Sequence, residues 1–134
     1  MANMFETSTQ LQGLTTTQLG SLTAAQIAIL NTTQITALST TGVANFAATA
    51  VPGLTPALLG SLITTATASM STTQLQALTL AALQGMTTSQ VSTLTTTQVS
   101  NLTAAEISAL TQTQAQSLST TQLTSLGGSL VAAL

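Results

Sequence analysis

Large apolar residues recur at every eighth position of this chain, and the register holds from residue 14 to residue 134. The positions are Leu14, Leu22, Leu30, Leu38, Phe46, Leu54, Leu62, Met70, Leu78, Met86, Leu94, Leu102, Leu110, Leu118, Leu126 and Leu134. Glu6, one step before this series, departs from it. A short, fixed period indicates one small structural unit copied along a line. We therefore predict a single repeat domain over residues 1–134.

Each eight-residue unit, or octad, is numbered here from its large apolar residue. Its consensus is Leu, Thr or Ser, two small residues, Gln, then Leu, Ile or Val, any residue, and a small residue. Thr or Ser followed three residues later by Gln or Glu is a capping box, which marks a helix start. Ten of the sixteen octads carry such a pair, Asn31 with Gln34 included. The predicted capping residues include Thr15, Gln18, Thr23, Gln26, Thr95, Gln98, Thr103 and Glu106.

The apolar residues at positions 1 and 6 flank this cap as a hydrophobic staple, the second start signal of a helix. A new cap begins one helical turn after position 6, so each helix is predicted to span about five or six residues. The fold class is therefore predicted to be all-α, a repetitive solenoid of very short capped helices, one per 8-residue repeat. The predicted core includes Leu14, Leu19, Leu22, Ile27, Leu30, Ile35, Leu94, Val99, Leu102 and Ile107.

The alternative is a β-solenoid, because Thr, Val and Ile favour strands. Positions 1 and 6 are separated by five residues and then by three, so a straight strand would place them on opposite faces. A strand would need a bend in every octad, yet most octads lack Gly and Pro. Short helices are therefore favoured. One octad buries too little apolar surface to offset the entropy of ordering it, so neighbouring octads must stack.

Two segments depart from the consensus. The divergent octads at residues 38–69 lose the position-5 Gln and contain Pro52-Gly53, and the C-terminal segment at residues 126–134 is apolar. The divergent octads are either drifted repeats or a kink or contact surface.

The apolar C-terminal segment suggests an open face that receives the first octad of another copy, and a head-to-tail contact that does not close gives a filament. The candidate assembly contacts are Phe5, Leu58, Ile63, Leu130, Val131 and Leu134.

The composition excludes most kinds of catalytic, metal-binding and nucleic-acid-binding site. The chain has no Lys, Arg, His, Cys, Trp or Tyr, and only two acidic residues. Acid–base catalysis, zinc or calcium binding, and nucleic-acid binding all need side chains that are missing here. We therefore expect no enzyme activity, no cofactor, no metal and no nucleic-acid partner, and the apolar runs are too short to insert into a membrane. A nearly uncharged surface favours association, so the expected partner is a copy of the same chain, in a homopolymer.

The octads LTTTQLGS, MTTSQVST and LTTTQVSN resemble the Leu-Thr-Thr-x-Gln-Val/Ile octapeptide-repeat arrays of large secreted bacterial adhesin and surface-fibre proteins, over about four-fifths of the chain. The resemblance implies a structural or adhesive role at the cell surface or outside the cell. The N-terminal MANMFETSTQ lacks the features of a signal peptide, so we expect export by another route. The expected function is a self-assembling subunit of a filament, sheath or matrix fibre. The alternative is a Thr-rich surface binder, such as an ice-binding protein or an adhesin repeat.

Overall fold

The structure, a computed structural model, describes residues 7–38, 40–132 and 134, and it is helical throughout. Fourteen α-helices and one 3-10 helix follow one another, with no strand in these residues. The elements are α1 Ser8–Gln12, α2 Thr16–Gly20, α3 Ala24–Ala28, α4 Thr32–Thr36, α5 Thr40–Ala44, the 3-10 helix Val51–Gly53, α6 Pro56–Ser61, α7 Thr64–Ala68, α8 Thr72–Gln76, α9 Leu80–Gln84, α10 Thr88–Thr93, α11 Thr96–Ser100, α12 Ala104–Ala109, α13 Gln112–Gln116 and α14 Thr120–Val131. The predicted helical solenoid is confirmed, with one short helix per octad.

The helices are short because extended residues separate them at regular intervals. Helix α10 starts after Thr87, which is extended at φ −74° and ψ 158°, and ends at Leu94, which is also extended at φ −59° and ψ 139°. Helices α1 to α13 therefore contain five or six residues each. The longer α14 is two helical segments joined at Gly127, whose φ of 71° lies in the region that favours glycine.

Three octads, or 24 residues, make one coil of the solenoid. The pairs of elements with the most extensive contacts all lie three octads apart, so the helices form stacked columns. The contacts run α1–α4–α6–α9–α12 in one column, α5–α7–α10–α13 in the second, and α3 with the 3-10 helix and α8–α11–α14 in the third. The divergent octads at residues 38–69 take part in this stacking like the others, and they continue the same coil.

Positions 1 and 6 line the interior between the columns. Ile27, Ile35, Val99 and Ile107 are completely buried, and most other apolar residues at these positions lie in the same core. The structure places nine of the ten predicted core residues in the buried interior. Leu14 is partly buried and packs against the core from the first coil.

Successive coils approach so closely at some points that their backbones are in contact. A Cβ atom built on Gly53 would lie 2.1 Å from the carbonyl oxygen of Ala24, one coil away. A Cβ atom on Gly85 would lie 2.5 Å from the Cα atom of Pro56, and Gly60 lies against the Gly85 carbonyl from the facing helix. Glycine is therefore required at these contacts by the space available, since no side chain fits between the two backbones.

The capping hydroxyls are expected to contribute measurably to stability. Thr87→Ala should lower the free energy of unfolding by about 1 kcal/mol. The reason is that Oγ1 of Thr87 accepts a hydrogen bond from the Gln90 backbone N–H at 3.1 Å. The neighbouring Thr88 is exposed, so Thr88→Ala should change stability by less than about 0.5 kcal/mol. Urea unfolding of both variants measures the difference, and equal effects would refute the capping role.

Candidate functional site

The capping box is formed in every octad where the sequence predicts it. In α13 the backbone N–H of Thr111 donates to Oε1 of Gln114 at 2.9 Å, and the Gln114 N–H donates back to Oγ1 of Thr111 at 3.2 Å. The same reciprocal pair occurs at Thr7/Gln10, Thr15/Gln18, Thr23/Gln26, Asn31/Gln34, Ser71/Gln74, Thr87/Gln90, Thr95/Gln98, Thr103/Glu106 and Ser119/Gln122. Two backbone donors at each helix start are thereby satisfied.

The other end of the same glutamine side chain bonds to the preceding coil. Nε2 of Gln114 donates to the carbonyl oxygens of Leu83 and Met86, both at 2.8 Å. These carbonyls lie at the corner where α9 ends, and the Leu83 carbonyl also accepts the Met86 backbone N–H at 3.1 Å. One glutamine therefore caps its own helix through Oε1 and bonds to the coil below through Nε2.

Five glutamines repeat this arrangement, and we call them the glutamine ladder. Each donates from Nε2 to carbonyls 28 and 30 or 31 residues earlier, over distances of 2.6 to 3.4 Å. All five side chains are buried. The ladder consists of Gln74, Gln90, Gln98, Gln114 and Gln122.

Sequence reasoning missed this second bond, although one signal pointed to it. A capping box accepts Glu as well as Gln, because only the side-chain oxygen takes part. Nine octads nevertheless carry Gln at position 5, and only one carries Glu. That preference indicates a need for the amide N–H donors, which glutamate lacks.

The ladder is interrupted where position 5 is apolar or small. Those residues are Gly42, Ala50, Leu58, Ala66 and Ala82, and all of them are buried. In these octads the coils are joined by packing without the amide bonds. This corrects the prediction that Leu58 is an assembly contact, because Leu58 is only 3% exposed and fills the interior place that Gln occupies elsewhere.

Glu106 occupies a ladder position but has no side-chain amide N–H group. Its Oε2 accepts hydrogen bonds from the Thr103 backbone N–H at 2.7 Å and from Thr103 Oγ1 at 2.9 Å. Its Oε1 is buried and has no hydrogen-bond partner among the described residues. Ladder glutamines donate to carbonyls 31 and 28 residues earlier, which for position 106 are those of Leu75 and Leu78. This register assigns Oε1 of Glu106 to the place where a glutamine would donate to these two carbonyls. The carboxyl group is thus a local defect in the ladder.

The position-5 glutamines of the first coil lack the ladder bond, although Gln12 at position 7 donates from Nε2 to the Ala37 carbonyl of the next coil at 3.1 Å. Oε1 of Gln10, Gln18 and Gln26 accepts from the N-cap backbone at 3.0, 2.8 and 2.9 Å. Their Nε2 atoms find no partner among the described residues. Gln10 and Gln18 are exposed, and Gln26 is partly exposed. This surface, the donor face, consists of Gln10, Gln18 and Gln26.

The last coil presents the complementary groups. Its corners carry carbonyl pairs that correspond to those bonded by the ladder in the preceding coils. Within the described residues no side-chain amide reaches these carbonyls. The acceptor face consists of the carbonyl pairs Ile107/Leu110, Ala115/Leu118 and Leu123/Leu126. Ile107 is completely buried, and Leu110 is the partly exposed member of its pair.

The other candidate assembly contacts differ in exposure and in position. Ile63 is 51% exposed and stands at the N-cap of α7, where it makes no side-chain cap. Val131 and Leu134 are 41% and 47% exposed near the C-terminal end. Phe5 and the side chain of Leu130 lie outside the described residues. Two exposed apolar residues that the sequence did not single out are Ile29 and Leu80.

The described residues contain no cluster of three potential metal ligands. Among them, too, no helix combines the length and the apolar character that crossing a membrane requires. The polar side-chain groups of the described residues are hydroxyls, amides and the buried carboxyl group of Glu106.

Comparison with known proteins identifies a repeat family in the N-terminal part of the chain. The family model of the ALTTAQ repeat matches residues 7–40, which cover α1 to α4. No curated protein and no solved structure matches the chain. The match and the regular coil together show a repeat-containing protein, similar over residues 7–40 to the ALTTAQ repeat.

Proposed function

We propose that this protein is a structural, self-assembling subunit that polymerises end to end into an extracellular filament, sheath or matrix fibre. Its partner is a copy of the same chain. The observation that carries the proposal is the incomplete burial of the core at both ends. Position-1 and position-6 residues are buried throughout the middle coils, but Leu14 at one end and Leu110 and Leu123 at the other are only partly covered.

A second copy stacked on either end would cover these residues as an internal coil does. Burial of apolar surface is the main favourable term in association. Long-range charge repulsion hardly opposes it, because the formal net charge is −2 and no cation is present. The stacking of coils inside the chain is open-ended, so nothing in its geometry limits the number of copies. The resemblance to surface-fibre repeats supports a location at or outside the cell surface.

The alternative is a threonine-rich surface binder. It is favoured by the stacking of α11 on α14, which brings the exposed residues Thr96, Thr120, Thr121 and Thr124 to one shallow depression. A regular plane of hydroxyl and methyl groups suits an ordered surface such as ice. This function needs a dispersed monomer, whereas the proposed one needs assembly.

Negative-stain electron microscopy and analytical ultracentrifugation of the full chain at neutral pH test the proposal. We expect fibres whose amount rises with protein concentration. Their formation should change little between low and high salt, because apolar and amide contacts are screened far less than ion pairs. A chain that stays monomeric at high concentration would refute assembly. Thermal hysteresis of that monomer would then support the surface-binding alternative.

A further inference from the structure

We propose that copies join by extending the glutamine ladder across the junction. The donor face (Gln10, Gln18 and Gln26) of one copy donates its amide N–H groups to the acceptor face (the carbonyl pairs Ile107/Leu110, Ala115/Leu118 and Leu123/Leu126) of the next. This inference rests on the proposed function and specifies the atoms of the contact.

The first argument is continuity with the coil-to-coil interface inside the chain. Gln90 donates to the Leu59 and Leu62 carbonyls at 2.8 Å each, and Gln114 repeats that geometry one coil later. Where position 5 is Gln, one side of a coil thus donates amide N–H groups to carbonyls on the facing side of the preceding coil. At the two ends of the described structure, the Nε2 atoms of the donor face and the carbonyls of the acceptor face lack these ladder bonds.

The second argument is the matched spacing of the two faces. The three donors are eight residues apart, one at the start of each of the three consecutive helices α1, α2 and α3. The three carbonyl pairs are also eight residues apart, one at each corner of the last complete coil. Because both faces repeat the same octad, all three bonds can form in one docked position.

The third argument is preorganisation. The Oε1 atom of each donor-face glutamine is already held by its own capping box, at 2.8 to 3.0 Å. The amide plane is therefore oriented before association, and docking restricts few further rotamers. Contacts made by ordered side chains lose less entropy on binding than contacts made by free ones.

The contact also has a direction. Two donor faces would bring N–H groups against N–H groups, and two acceptor faces would bring carbonyls against carbonyls. Only head-to-tail docking pairs donors with acceptors, and a heterologous contact of this kind produces an open, polar filament. A closed symmetric dimer is not expected.

The triple variant Q10E/Q18E/Q26E tests the contact. Glutamate keeps the capping box, as Glu106 does with Thr103, but an ionised carboxylate has no N–H to donate to a carbonyl. We expect the variant to fold, with a helical circular dichroism spectrum like that of the unmodified chain. The protein concentration needed for assembly should rise by roughly 100-fold or more, because three carboxylates are left against carbonyls without a donor.

The matched control is Q84E/S89E/T97E, which adds the same three charges at exposed residues of α9, α10 and α11, helices that lie in an internal coil. Its assembly concentration should stay within about threefold of the unmodified chain. If this control is impaired as strongly as Q10E/Q18E/Q26E, charge alone accounts for the loss and the ladder contact is refuted.

A mixing experiment tests the direction. Q10E/Q18E/Q26E retains its acceptor face, so it should bind the donor end of a growing filament and stop growth there. Small amounts added to the unmodified chain should shorten the fibres, and unchanged fibre length would refute head-to-tail docking.

If the unmodified chain forms fibres and Q10E/Q18E/Q26E forms them equally well, the ladder contact is wrong while the proposed function stands. If the unmodified chain forms none, both are wrong.

Discussion

Gly53→Ala is expected to lower the free energy of unfolding by about 3 kcal/mol, because overpacking at a rigid contact is strongly destabilising. The new Cβ atom would lie 2.1 Å from the carbonyl oxygen of Ala24 and within 2.9 Å of two further backbone atoms of that residue. Backbone atoms cannot swing away as the end of a long side chain does, so the two coils must separate. Urea unfolding followed by circular dichroism measures the loss.

Gly128→Ala is the matched control, because a Cβ atom there has no neighbour within 4 Å. That substitution should leave stability unchanged or raise it by up to about 1 kcal/mol, since alanine favours helix more than glycine does. Gly85→Ala, whose Cβ would lie 2.5 Å from both the Cα and the carbonyl oxygen of Pro56, should behave like Gly53→Ala. Similar stabilities for Gly53→Ala and Gly128→Ala would contradict the close coil contact.

Glu106→Gln is expected to raise the free energy of unfolding by about 1–3 kcal/mol, the usual penalty for a buried polar atom without a partner. The side chain is 97% buried, as 3% of it is exposed, and its Oε1 has no partner in the described structure. A glutamine would keep the capping oxygen and add N–H donors towards the Leu75 and Leu78 carbonyls. The substitution thereby completes the ladder between Gln98 and Gln114.

The reciprocal change tests the same physics in the opposite direction. Gln90→Glu removes two hydrogen bonds, to the Leu59 and Leu62 carbonyls, and should lower the free energy of unfolding by about 3 kcal/mol. Gln116→Glu introduces the same charge at an exposed position and should change stability by less than about 0.5 kcal/mol. Thermal and urea unfolding at neutral pH give all three values. A destabilised Glu106→Gln variant would show that Oε1 does not face carbonyls.

Much of the local structure could be predicted because its signals lie within a single octad. Thr103 and Glu106 are three residues apart, so their capping box depends only on the backbone of one helical turn. The staple pair Leu94 and Val99 likewise lies within one octad, and both residues are buried. These short-range signals were enough to predict all-α structure, the helix lengths and most of the core.

The candidate interface could be predicted only in part, because its contacts join residues about 28 to 31 positions apart. The sequence indicated that Gln114 caps its helix, but not that Nε2 faces Leu83 and Met86. It also suggested that Leu58 was a surface contact, since Leu58 replaces a polar residue. Position 5 is in fact interior, so an apolar residue there is buried.

The octad period, read from the sequence alone, determines one capped mini-helix per repeat and a repeated apolar pair that must be buried by stacking. The tertiary structure decides how many octads close a coil, which carbonyls each glutamine meets and where glycine is required. The reason is physical. Helix starts are set by hydrogen bonds within one turn, whereas the coil follows from the angle between successive helices. That angle accumulates over 24 residues and is settled only when three columns pack together.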